Sequence, residues 1–139
     1  MEVVVIVPKV YNSINNAPSR WTIFPVEPAS VATALKLAGH DVIGIDLNLL
    51  PQPSDAALEE KIKSIKPDAA VFMPQWLGRY DMKAIDPTSF DTIQRAAPGC
   101  IRINTGVQAT LYPDMEPPLN TVYVGRWRKL LLLYLMPLP

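Results

Sequence analysis

The sequence predicts a single α/β domain built on an all-parallel sheet, and three observations predict it. Short apolar runs rich in β-branched residues alternate with stretches of helical period, which is the pattern of βαβ units rather than of hairpins. Proline and glycine stand at the joins between these segments. The chain has 139 residues, enough for one compact core and too few for two ordinary domains.

The elements follow in order. Residues 3–7, all Val or Ile, form the first strand, which Pro8 closes. The first helix spans about residues 27–38: Pro28 suits its first turn, Val31, Leu35 and Ala38 mark one face, and Gly39 ends it in the left-handed conformation. Residues 42–47 are the second strand. The second helix is capped by Ser54, turns Leu58, Ile62 and Ile65 inward, and stops at Pro67. Residues 69–73 are the third strand; the third helix starts near Asp86-Pro87, carries Phe90, Ile93 and Ala97 inward, and ends at Pro98-Gly99. Residues 100–104 form strand four, a weak helical turn follows around residues 109–112, and residues 121–124 form strand five.

Short strands with few polar positions are those of a sheet covered on both faces. Right-handed crossovers then give the order 2-1-3-4-5, a flavodoxin-like or Rossmann-like three-layer arrangement. In such a sheet ligands bind beyond the carboxyl ends of the strands, where the strand order reverses. That places the site before any motif is considered.

Thirteen basic and thirteen acidic side chains cancel, and neither sign forms a long block, so no nucleic-acid or anionic-membrane partner is expected. The apolar N-terminus begins with Glu2, lacks a basic leader and stops at Pro8, so it reads as neither a signal peptide nor a transmembrane span. The single cysteine, Cys100, opens an apolar run and reads as a buried free thiol, in keeping with a cytoplasmic protein. One Cys and one His supply no zinc or iron–sulfur ligand spacing, so no metal is expected on protein side chains. His40 precedes strand two and belongs to the amino edge, opposite the site; Asp41 and Asp68 share that edge, and Asp86 reads as a helix cap.

Four segments reach the carboxyl edge. The first connection, residues 8–25, is long and without a period of its own, which points to a functional loop; Tyr11, Asn12 and Trp21 are its binding groups, with a solvated surface loop as the alternative. Asp46 closes strand two, where an acid can meet a ligand hydroxyl or amide. After strand three come Gln75, Trp76, Gly78, Arg79 and Tyr80, aromatic and cationic walls around a glycine that admits close backbone approach; Trp76 as a cap on the core is the alternative. Strand four leads into Thr105, Gly106 and Gln108, where freed backbone amides can donate to a ligand. No Walker loop or Gly-x-Gly-x-x-Gly follows strand one, which disfavours a phosphate cradle for a nucleotide or a flavin.

Taken together, Phe24-Pro25, Glu27-Pro28, Ala34-Leu35, Ala38-Gly39-His40-Asp41-Val42, Ile45-Asp46, Lys66-Pro67-Asp68, and Thr105-Gly106-Val107-Gln108-Ala109-Thr110 with Pro113 form an ordered pattern. The chain thereby resembles the N-terminal cobalamin-binding domain of cobalamin-dependent radical S-adenosylmethionine enzymes, over about residues 1–125. The resemblance implies a corrin ring held against the carboxyl ends of the strands, with its nucleotide tail running into the sheet. It also implies a role in methyl transfer, and a cobalt held by the corrin. The Asp-x-His-x-x-Gly motif is absent, so the resemblance is to the histidine-free branch, in which Trp76, Arg79 or Tyr80 faces the lower side of the ring.

With one cysteine the chain cannot carry the Cys-x-x-x-Cys-x-x-Cys cluster, so the catalytic barrel and its iron–sulfur cluster are expected on another or a longer chain. Residues 126–139 form an apolar tail where the family continues into its barrel; it reads either as a final helix on the sheet or as an altered or truncated end. A fragment, a frame-altered product and an autonomous carrier all fit that tail. The alternative from another class is a non-catalytic receiver-like regulatory or interaction domain, against which the missing acidic cluster after strand one counts.

Overall fold

The computed structural model describes residues 1–9, 26–51, 54–73, 88–105 and 121–124. Its elements are β1 (Glu2–Val7), α1 (Val26–Leu37), β2 (Asp41–Asp46), α2 (Ser54–Ile65), β3 (Ala69–Phe72), α3 (Thr88–Ala96), β4 (Ile101–Thr105) and β5 (Thr121–Val124). The strands run parallel in the order β2-β1-β3-β4, and β5 lies beside β4 with Arg102 opposite Thr121 and Thr105 opposite Val124. The α/β class and the parallel order 2-1-3-4 agree with the reading from the sequence and are compatible with a flavodoxin-like fold.

Handedness explains the layers. The step from β1 to β2 moves one way across the sheet, whereas β2 to β3 and β3 to β4 move the other way, so right-handed crossovers put α1 on one face and α2 with α3 on the opposite face. Two separate cores result. Val3, Val5, Val42, Val71 and Ile103 pack with Val31 and Leu35 of α1. Val4, Ile6, Ile45, Ala70 and Phe72 pack with Leu58 and Ile62 of α2 and Ile93 of α3. Strand β1, covered on both faces and paired on both edges, is buried along residues 3–7, as its unbroken apolar run requires.

The element ends differ from expectation by a residue or two, each for a local reason. Helix α1 and strand β2 both begin one residue early; Leu47, outside the strand, is still buried and its amide bonds to the Val7 carbonyl at 3.0 Å. Strand β3 stops at Phe72, although the Met73 amide bonds the Ile6 carbonyl at 2.9 Å. Strand β4 is shifted one residue forward, to Thr105, because the Cys100 amide is taken by the turn to the Ala97 carbonyl. Gly39 has φ +89°, the left-handed cap read from the sequence. Lys66 also has a positive φ, 54°, between the end of α2 and Pro67, which the sequence does not announce because a non-glycine residue fills the position.

Helix α2 carries an outward ion pair, Lys63 Nζ to Glu59 Oε1 at 2.6 Å, and Arg95 of α3 stands 3.6 Å from the other Glu59 oxygen. The Lys63 hydrogen bond and charge hold the Glu59 carboxyl below its ordinary value. No helix among the described residues is long and apolar enough to cross a membrane. The tail at 126–139, the helical turn expected near 109–112 and the Asp86 cap lie outside the described residues.

Candidate functional site

The sheet has two edges of opposite character. At the amino edge the Asp68 carboxylate accepts the Glu2 amide at 2.8 Å, and the Asp41 amide donates to the Met1 carbonyl at 3.0 Å, so both acids or their backbones tie strand starts together. His40 is buried there, and its Nδ1 and Nε2 have no partner among the described residues. These placements agree with the structural roles read from the sequence.

Cys100 also belongs to the amino edge. It lines an open cleft of about 560 Å³ with Lys66, Asp68 and Gly99. Burial raises its thiol from an ordinary 9.0 to about 11, against the opposing pull of the Arg102 charge, with Asp68 adding a little to the rise. A thiol this weakly acidic stays protonated at neutral pH and is a poor nucleophile there. Because the folded state holds the proton more tightly than the unfolded chain, the contribution to stability is full below pH 9.0 and is lost as pH rises through about 11. Alkylation of the folded protein by iodoacetamide should therefore stay slow at pH 8 and accelerate only as pH approaches 11. A rate matching a free thiol at pH 8 contradicts the burial.

The carboxyl edge is where the order reverses. From β1 the chain leaves toward α1 and β2, while from β3 it leaves toward α3 and β4, so the β1–β3 boundary is the point where the strand order reverses. Strands β1, β3 and β4 are neighbours, and at about 4.8 Å per step their ends fall within about 10 Å of one another. The three long connections carrying the sequence candidates all depart from this edge.

Two of those candidates are among the described residues. Asp46 ends β2, half-buried, and its Oδ1 accepts the Asn48 amide at 2.9 Å and the Asn48 side chain at 2.7 Å. The Asn48 side chain also donates to the Pro8 carbonyl at 3.1 Å. Asp46 thus shapes the turn after β2 and stitches it to the end of β1, with Oδ1 committed to Asn48. Thr105 ends β4 and is 1 % exposed. Tyr11, Asn12, Trp21, Gln75, Trp76, Gly78, Arg79, Tyr80, Gly106 and Gln108 lie outside the described residues.

Two further groups at this edge went unselected in the sequence. Lys9, just beyond β1, is only 6 % exposed; a lysine on a polar loop gives no sequence sign that it will be enclosed. Asn104 is fully buried, and neither its Oδ1 nor its Nδ2 has a partner among the described residues. A polar residue inside an apolar strand run was the available signal. Among the described residues no three His, Cys, Asp or Glu side chains form a group able to hold a metal ion. No protein-family model matches the chain, and no curated protein matches it.

Proposed function

We propose that this chain is a cobalamin-binding module for methyl transfer, with a flavodoxin-like five-stranded domain over residues 1–125, serving a radical S-adenosylmethionine barrel carried on another or a longer chain. The observation that carries the reading is the juxtaposition of β1, β3 and β4, which sends all three long connections from one edge of a parallel sheet. A wide, flat ligand needs walls from several loops at once, and this order supplies them. The residue types fit a corrinoid: Trp76 and Tyr80 offer flat apolar surface, Gly78 and Gly106 admit close approach, and Lys9 brings a cation to the edge from which a nucleotide tail with its phosphodiester would enter.

The Asn104 amide, buried without a partner among the described residues, supports that fit, since a corrin ring is fringed with neutral carboxamides and an amide is their hydrogen-bonding complement. Bound, the cofactor would supply a transferable methyl group. The chain's own residues would hold and orient the ring and keep water from its enclosed face.

The experiment is direct. Purified protein mixed with hydroxocobalamin and desalted should retain the corrin absorption bands. Trp76→Glu and Gly106→Glu should each lower retention at least ~10-fold with an unchanged far-ultraviolet circular dichroism spectrum, because each puts a bulky charge where an apolar or bare backbone surface is needed. A colourless wild-type protein after desalting rejects the proposal.

A further inference from the structure

Resting on the cobalamin reading, we infer that Asn104 is a ligand-recognition residue, its buried amide without a partner among the described residues and placed to receive a ring carboxamide of the corrinoid. Asn104 is the penultimate residue of β4, beside Phe72 at the end of β3 and followed by buried Thr105. Its register on β4 puts it on the same face as Arg102, the face covered by α2 and α3. The two residues are treated differently. Arg102 donates to Gln94 Oε1 on α3 at 2.9 Å. Asn104, one step nearer the carboxyl edge, has both amide atoms buried without a partner among the described residues.

A buried amide with no hydrogen bond is disfavoured relative to an apolar residue of similar size, so a strand otherwise made of Ile, Thr and a satisfied Arg has no packing reason to keep one. Its position supplies the reason. The residue stands at the ligand edge, next to the exit of the connection bearing Gly106 and Gln108.

The chemistry of the vacancy selects the partner. A carboxylate could satisfy only Nδ2, and a cation only Oδ1, whereas a primary carboxamide donates and accepts at once and closes a paired ring of two hydrogen bonds. The ligand group is therefore neutral and amide-like.

The test compares wild type, Asn104→Leu and, as a smaller replacement against overpacking, Asn104→Val. Each is measured for thermal midpoint without ligand and for retention of hydroxocobalamin and of dicyanocobinamide, which lacks the nucleotide base but keeps the ring carboxamides. The expected result is a midpoint raised by several degrees in at least one variant, together with ~10-fold weaker retention of both corrinoids. A lowered midpoint in both variants, or undiminished retention by folded variants, overturns the assignment while leaving the cobalamin reading standing. Weakened retention of hydroxocobalamin alone moves Asn104 to the nucleotide tail and overturns the ring-carboxamide pairing. If wild type retains neither corrinoid, the cobalamin reading falls and takes the corrinoid partner of Asn104 with it.

Discussion

Val4→Asp should leave the chain largely unfolded at neutral pH. Val4 is fully buried on β1, opposite Ile43 on one side and Ala70 on the other, within the cluster that includes Ile6, Phe72, Leu58 and Ile62. That cluster consists of hydrocarbon side chains and the Cys100 thiol, and the buried cation of this face, Arg102, stands two strands away beyond Ala70 and is bonded to Gln94. An ionised group placed there loses its hydration without compensation, a penalty of at least several kcal/mol against a total stability of about 5–15 kcal/mol.

The direction with pH follows. A carboxyl in this core has its folded-state pKa raised, so the folded state gains relative to the unfolded as pH falls and the group becomes neutral. Circular dichroism of Val4→Asp should show little structure at pH 7 and partial recovery near pH 5. A midpoint equal to wild type at pH 7 excludes β1 as the central, doubly covered strand.

The second large effect is expected at Phe72, the bulkiest of the fully buried side chains among the described residues. Phe72→Ala removes a ring from the face shared by α2 and α3, and surrounding β-sheet backbone cannot collapse into the space without breaking the pairing of β3 with β1 and β4. Loss of transfer free energy and creation of a cavity together should cost about 3–5 kcal/mol. Urea unfolding should show a lower midpoint with an unchanged slope, since the surface exposed on unfolding hardly changes. A loss below ~1 kcal/mol shows that the α2/α3 layer does not enclose this ring.

These two sites also show why the core was readable from sequence. Val4 and Phe72 each lie in a run of five apolar residues, and a strand apolar on both faces has to be covered on both faces. Leu58 and Ile62 recur at helical spacing on α2, and they and Ile93 of α3 are buried against the sheet. The boundaries were less legible. Leu47 and Met73 keep ladder-like hydrogen bonds beyond their strands, so the pairing fades over a residue instead of stopping at one.

At the candidate site the legible part was the edge and the hidden part was the pairing. The sequence places Asp46 at a strand end, but its commitment to Asn48, and through Asn48 to Pro8, depends on how β2 and β1 lie side by side. The enclosure of Lys9 is of the same kind, a consequence of neighbours distant in sequence. Asn104 differs again, because a lack of partners is a property of everything around a residue and of nothing in its own segment.

By itself the sequence determined the element types, their order and the parallel class, since side-chain periodicity and the backbone limits of proline and glycine act within a few residues. Only the tertiary structure decided which face each helix covers, that burial holds the Cys100 proton to about pH 11, and that Asn104 meets no hydrogen-bonding group among the described residues. Burial, desolvation and hydrogen-bond satisfaction are set by atoms brought together from distant segments, and that is information no local pattern contains.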